Sequence, residues 1–457
     1  MTRLASAART RPPTLKLRRS AKAVRVRGLI MAGVFGCALA FAPRASAQDG
    51  TIEQLVATAL ERSPEIRAAR TAIGAAAGQL TQAGLRPNPS LAGSQMQMTG
   101  AQHQTLVGIE WPLDLFRRPS RMAVARQAVE ATTLSVQDRE RMLAAAVREQ
   151  AGRLLEARRT VEIMNEALTA ARRMRELLDQ RVTEGDTPKL DANIAAVEVG
   201  RMEVDQVLAA ADVDGAAIEL RALVGLPADA PLVLRDTLES LVRLDPAAQA
   251  SQGGESAVAA QTGDSAVSAR PDIREATARV ALAGARVEQA RREGRVDMML
   301  SGTYGRERYS FAQRGFNDGG TLVPIDGAFH SVMLGGQLTL PVRNKNQGLV
   351  AAALAEQTGE QEVLAARQLT ARAEFDAAVV RDREARRAVD MYATGIRELA
   401  RQNVEVDLEA YDLGRTPLSD LLAEQRRYLD VEAAYTGVLS RAYQARVALR
   451  RARGEIR

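Results

Sequence analysis

No residue between 120 and 182 is proline, and only Gly152 is glycine. Through this run apolar side chains return every three or four positions: Leu143, Val147, Ala151, Leu154, then Val161, Met164, Leu168, Ala171, Met174, Leu178 and Val182. That spacing marks one face of an α-helix. At 1.5 Å per residue the run predicts a rod of roughly 95 Å, longer than any globular core needs. Such a helix belongs in a coiled coil or in the wall of a helical tube. A second proline-free run, over 347–412, restricts the fold in the same way.

Each long run ends in a related turn. The first reads Gly185-Asp186-Thr187-Pro188-Lys189-Leu190-Asp191 and the second Gly414-Arg415-Thr416-Pro417-Leu418-Ser419-Asp420. Glycine suits the left-handed residue that closes a helix. Threonine is expected to cap the next helix, and proline to open it at the first helical position. Each turn is therefore expected to reverse the chain between two helices, the second members covering 188–224 and 417–453.

The chain ahead of each long helix is also duplicated. Ser63-Pro64-Glu65-Ile66-Arg67 returns 207 residues later as Arg270-Pro271-Asp272-Ile273-Arg274. Trp111-Pro112-Leu113 returns 229 residues later as Leu340-Pro341-Val342, the same offset as the two turns. Between these landmarks lie segments of period two, at about 90–98 and 105–113, and again at about 296–304 and 331–340; they read as two hairpins. The offsets differ by 22 residues (229 − 207), which puts an insertion in the second hairpin, read as a loop over 305–330. The chain is thus expected as a first repeat (48–224), an equatorial segment and flexible linker (225–269), and a second repeat (270–457). Duplication of this kind is a strong organisational signal.

Residues 1–47 hold ten of the 62 Lys and Arg and no acid, so the rest carries 52 basic against 56 acidic residues. The apolar run 28–42 and Ala45-Ser46-Ala47 make this stretch a secretory signal, with cleavage expected before Gln48. A nucleic-acid role for the basic run is set aside on the same grounds. Cys37, the only cysteine, lies in the leader; the chain after it has neither a disulfide nor a thiolate ligand. Val34-Phe35-Gly36-Cys37 leaves lipidation at Cys37 as the alternative N-terminus. Beyond the leader no apolar run is long enough for a membrane helix. Four strands do not close a barrel, and open edges are not tolerated in lipid. Closure therefore needs several copies of the chain.

The duplicated architecture, the run Leu85-Arg86-Pro87-Asn88-Pro89-Ser90-Leu91 and the paired G-x-x-x-x-x-D turns resemble the TolC-like outer-membrane efflux proteins. The resemblance covers about 51–453. Its Pro-Asn-Pro run and Gly414-x-Thr-x-Leu-x-Asp-Leu-Leu-Ala-Glu-Gln are most similar to the heavy-metal cation efflux branch. The resemblance implies a mainly α fold with a small β part. It implies a homotrimer whose strands, four per chain, close a twelve-stranded barrel in outer-membrane lipid, above an α-barrel tunnel in the periplasm. The function implied is an exit duct for substrates such as heavy-metal cations or drugs. Its partners would be a periplasmic adaptor (membrane fusion) protein and an inner-membrane pump of the resistance-nodulation-division type. A type I protein secretion duct would use the same fold, and a soluble periplasmic coiled-coil scaffold is the reading from another class.

Within this frame the two turns form the periplasmic tip. Gly185, Pro188, Leu190, Gly414, Pro417 and Leu418 are the candidates for facing the adaptor. Asp420, Asp191, Tyr411 and Arg415 are the candidates for the gate, with Asp412 beside them. A ring of Asp420 carboxylates would select cations; the simpler reading is an acid placed favourably at a helix N-terminus. Trp111, the single Trp, suits the membrane-interface belt, and Glu110 then faces the lumen. His103 and His330 have no acidic neighbours at ligand spacing, so no metal site is expected. No nucleophile–base set, phosphate loop or cofactor motif is present, and the chain is not read as an enzyme.

Overall fold

The computed structural model describes residues 48–98, 102–243 and 265–456. The expected signal peptide, its cleavage before Gln48, Cys37 and most of the expected linker lie outside these residues. A short strand β1 (Gln48–Gly50) leads into helices α1 (Ile52–Arg62) and α2 (Pro64–Gly84). They are parted at Ser63, whose ψ of 123° is the extended setting a following proline imposes. The hairpin β2 (Ser90–Met98) and β3 (Gln102–Pro112) follows. Helix α3 (Arg118–Glu184) then runs 67 residues, roughly 100 Å, and α4 (Lys189–Val224) returns beside it. After β4 (Leu232–Leu234) and α5 (Leu238–Arg243) the pattern repeats with α6 (Pro271–Glu293), β5 (Asp297–Phe316) and β6 (Leu322–Thr339).

The second long helix has a fault that the first lacks. Helix α7 (Gln347–Met391) widens into a single π-turn at Tyr392–Ile396 before continuing as α8 (Arg397–Asp412); α9 (Leu418–Ala452) is the last element. The π-turn contains Gly395, and Thr394 Oγ1 donates to the Asp390 carbonyl one turn back at 2.7 Å. Such widenings carry a helix past a packing mismatch.

The largest apolar core lies midway along α3. Val147, Leu154 and Ala151 of α3 meet Leu55 and Ala59 of α1, Leu220 of α4, Leu234 of β4, Leu238 of α5, and Tyr435 and Leu439 of α9. β1 pairs in parallel with β4 against this core, Gln48 opposite Leu232. Arg148 is buried there, and its guanidinium binds the Glu53 carboxylate at 2.6 and 3.1 Å. The expected flexible linker does not extend to 269. Residues 265–269 are helical, and Val267 is buried beside Ile273, Phe375 and Leu449. One apolar side chain in an Ala/Ser-rich stretch is enough to dock it.

The four hairpin strands form one antiparallel sheet in the order β2-β3-β5-β6. The two hairpins therefore join through β3 and β5, with Trp111 opposite Leu300. The second hairpin corrects the expectation of strands at 296–304 and 331–340 around a long loop. The inserted residues are paired instead: β5 and β6 hold 20 and 18 residues and turn only at 317–321. The unpaired edges of β2 and β6 have no partner among the described residues. One face of the sheet carries Leu91, Val107, Ile109, Trp111, Leu300, Tyr304, Val332, Leu334 and Leu338. Leu91 and Leu334 are 78 % and 85 % exposed there. The opposite face at this level carries Ser90, Glu110, Ser301, Thr303 and Gln337, with Met299 and Met333 among them. No described helix is long and apolar enough to cross a membrane.

Candidate channel tip

At the far end of the helices the two turns lie side by side. Gly185 (φ 85°) and Gly414 (φ 70°) occupy the left-handed position. In the first turn the Asp186 N–H reaches the Arg181 carbonyl at 2.9 Å and the Gly185 N–H the Val182 carbonyl at 3.2 Å. In the second, the Arg415 N–H reaches Ala410 and the Gly414 N–H reaches Tyr411, both at 2.9 Å. Both are the same Schellman closure, so the duplicated sequence folds into duplicated geometry.

The openings of the next helices differ from expectation in two respects. Pro188 and Pro417 are the N-caps, not the first helical residues, with ψ of 141° and 156°. Neither helix has a side-chain cap from threonine. The extended proline presents its own carbonyl, which accepts from the Asp191 N–H at 3.0 Å and from the Asp420 N–H at 3.1 Å. The Thr416 hydroxyl is left buried without a hydrogen-bond partner among the described residues. Asp191 and Asp420 stand at the third helical position, where the helix dipole favours a carboxylate. Asp420 is exposed and Asp191 is half-buried.

A small core holds the turns together: Leu178, Ala192, Ala195, Leu418 and Leu422, with Val182 and Tyr411 against it. Leu418 is 3 % exposed and cannot face a partner, which corrects its place among the adaptor-facing residues. Leu190 is 65 % exposed. The repeat explains the difference. At the offset of 229, Leu418 corresponds to Lys189 and Leu190 to Ser419, so the turns carry their leucines at different helical positions. Gly185, Pro188, Gly414 and Pro417 are exposed.

Near the turns, among the described residues, two charged links cross from one hairpin to the other. Arg181 of α3 places Nη2 3.4 Å from Asp412 Oδ1 on α8 and its guanidinium 5.9 Å from the Tyr411 ring centroid. Burial, together with the charges of Asp191 and Asp412, holds the Tyr411 phenol above its ordinary range against the pull of Arg181. The sequence reading assigned the arginine of this group to Arg415. Arg415 is exposed and makes no ion pair among the described residues; it follows the glycine, past the end of its helix. The second link is Glu198 of α4, buried, 2.6 Å from Arg426 Nη2 on α9 and 2.8 Å from Arg201 Nη2. Burial opposes its charge, but the hydrogen bonds from Arg201 and Arg426 win and hold the carboxyl at about 2. Sequence reasoning missed Arg181, Glu198 and Arg426. A signal existed for the latter two: they lie 13 and 12 residues past their respective glycines, at matching heights with opposite charge.

Trp111, 45 % exposed, lies one residue before the end of β3 on the apolar face of the sheet, and Glu110 lies on the other face. His330 Nδ1 lies 2.6 Å from the Tyr304 hydroxyl on the apolar face. Among the described residues no three His, Cys, Asp or Glu side chains gather to hold a metal.

No curated protein matches the chain. Among solved structures it is similar to CusC (TM-score 0.71, 17 % identity, 89 % of this chain and 93 % of that one), described in terms of folding and transmembrane channel formation. It is also similar to the outer membrane protein VceC of Vibrio cholerae (0.68, 17 %, 90 % and 97 %) and to the CmeC outer membrane channel of Campylobacter jejuni (0.68, 16 %, 89 % and 86 %). At these identities the likeness establishes the fold: long helices in an α-barrel tunnel with a small sheet. The family model for outer membrane efflux proteins matches residues 55–226 and 263–455, both repeats and most of the chain. The chain therefore belongs to the outer membrane efflux protein family, a family of channels and not of enzymes.

Proposed function

We propose that three copies of this chain form the exit duct of a tripartite efflux system. The observation that carries the reading is the sheet: four strands, two unpaired edges and an outer face of bare apolar side chains, standing on helices roughly 100 Å long. An open sheet with an apolar face is viable in lipid only when it closes, and a third of a barrel closes with two more copies. β6 of one copy then pairs with β2 of the next, and Trp111 sits in the belt where lipid meets water. The helices continue the tube into the periplasm. A soluble scaffold has no use for that apolar face.

The tip is the gate in this reading. Asp420, exposed near the end of the tube, and Asp191 behind it present carboxylates to the passage. They suit cationic cargo, a metal ion or a cationic drug. Arg181, Tyr411 and Asp412 tie the two hairpins of one chain together in the closed state. Leu190, with Gly185, Pro188, Gly414 and Pro417, is the surface offered to a periplasmic adaptor. Work for transport comes from an inner-membrane pump behind that adaptor, of the resistance-nodulation-division type. The signal peptide ahead of Gln48 delivers the chain to the periplasm. The test is the mass and location of the mature chain extracted from outer membranes in mild detergent. A trimer that begins at Gln48 is expected. A monomer or dimer released with the soluble periplasm overturns the duct.

A further inference from the structure

The paired insertion of the second hairpin changes which face is apolar. Up to Gly305 and Ser331 the outward face is apolar, with Leu300, Tyr304, Val332 and Leu334 on it. Above that level the outward positions hold Arg306, Arg308, Ser310, Asp326 and His330. The inward positions there hold Tyr309, Phe311, Ile325 and Phe329. No register slip lies at the change; the irregularity in pairing comes later, between Phe311 and Arg314. With the pleat intact, alternate residues keep their faces, so it is the surroundings that differ. Outside, lipid gives way to water. Inside, the polar lining gives way to rings.

Those rings form a continuous apolar patch. Tyr309 meets Phe329 edge-on at 5.6 Å between centroids and stacks on Phe311 at 6.3 Å. Its hydroxyl donates to Glu307, the one charged residue on this face of the insertion, which also accepts from Gln104 of β3. In a single chain the patch is bare: Phe311 and Phe329 are 49 % and 56 % exposed. The ribbon that carries it has little support, because β3 reaches no further than Arg308. A two-stranded ribbon is marginal by itself, and an exposed aromatic patch calls for a cover.

We propose that the cover is the same patch of the other copies. This rests on the trimeric duct, which sets the inward faces of three sheets around one axis; what each inward ribbon face meets there is its own symmetry mates. The ribbons lean together above the lipid and pack ring against ring, an apolar plug over the outer mouth of the barrel. The duct then has two gates in series, charged at the periplasmic tip and aromatic at the outer end. Cargo leaves by parting the rings, and small ions are held back because an apolar constriction expels water.

Single cysteines test this in outer-membrane vesicles, because the chain beyond residue 37 has none of its own. Phe329→Cys, treated with copper phenanthroline, should convert most of the chain to a disulfide-linked dimer band, and Phe311→Cys should do the same. Ala328→Cys, one residue along on the outward face, should stay monomeric under denaturation. Detergent-extracted mass is measured on each sample. Trimers in which both inward cysteines remain unlinked overturn the plug and leave the duct standing. Equal linking at Ala328→Cys also overturns it, since the ribbons would then meet without a preferred face. Chains that never form trimers overturn the duct reading and the plug with it.

Discussion

Gly152 is the only glycine in α3, and its surroundings decide what a methyl group there would do. A Cβ at this position would lie 2.6 Å from the ring of Tyr443, which is 5 % exposed between α3 and α9. In an open helix interior, glycine to alanine stabilises by roughly 0.5–1 kcal/mol. Against a buried ring the overpacking cost of about 1–3 kcal/mol prevails. Gly152→Ala should therefore lower the melting temperature of purified protein, whereas Gly200→Ala, with nothing within 4 Å of the added carbon, should raise it. A rise for both would mean that Tyr443 yields easily and that the close crossing of α3 and α9 is not needed. The sequence marks Gly152 as odd by its isolation; that the reason is a tyrosine 291 residues away (443 − 152) is a tertiary fact that no local pattern carries.

At the scale of elements, the hairpin turns were readable and the links between them were not. Turn chemistry is local: Gly185 and Gly414 had to be left-handed, and they are. The Arg181–Asp412 contact spans 231 residues, and the sequence offered Arg415 as the nearer arginine. If Arg181 restrains the closed tip, Arg181→Ala should raise resting conductance in planar bilayers, and Arg415→Ala should leave it unchanged. The reverse result would restore Arg415 to the gate. The Glu198–Arg426 link makes a different prediction, set by pH. The Glu198 carboxyl sits at about 2, below its ordinary 4.5, so the folded state binds its proton less readily than the unfolded chain. Its contribution is complete above about pH 4.5 and is lost as pH falls toward 2. Melting temperature should drop through that window, and Glu198→Gln should be less stable at neutral pH but flatter in acid. An unaltered acid profile in Glu198→Gln would show that other carboxylates govern it. That the insertion in the second hairpin is paired strand rather than loop escaped the sequence for a related reason. Its strands alternate correctly, but the apolar set changes face at Gly305, so a search for one continuous period-two stripe stops there.

At the scale of the whole molecule, long helices and duplicated hairpins followed from periodicity and repeat offsets, and the family resemblance implied the mainly α fold. What the sequence left open was which face of the sheet meets lipid, because both faces contain apolar residues; Met299 and Met333 lie opposite Leu300 and Leu334 in the alternation. The register narrows this by aligning Leu91, Ile109, Gly302 and Leu334 in one row across all four strands. Such a row is continuous around a closed barrel and has to be lipid or lumen for every strand together. An arginine on a lipid face near the bilayer centre costs about 2–4 kcal/mol, and one in an aqueous lumen costs little. Leu334→Arg should then strip the protein of heat-stable trimers in outer-membrane fractions, while Gln337→Arg, three residues on and facing the other way, should assemble normally. If the two variants exchange behaviour, the sheet is inside out relative to this assignment. Trp111 would then line the passage, and the aromatic ribbon would turn its rings outward.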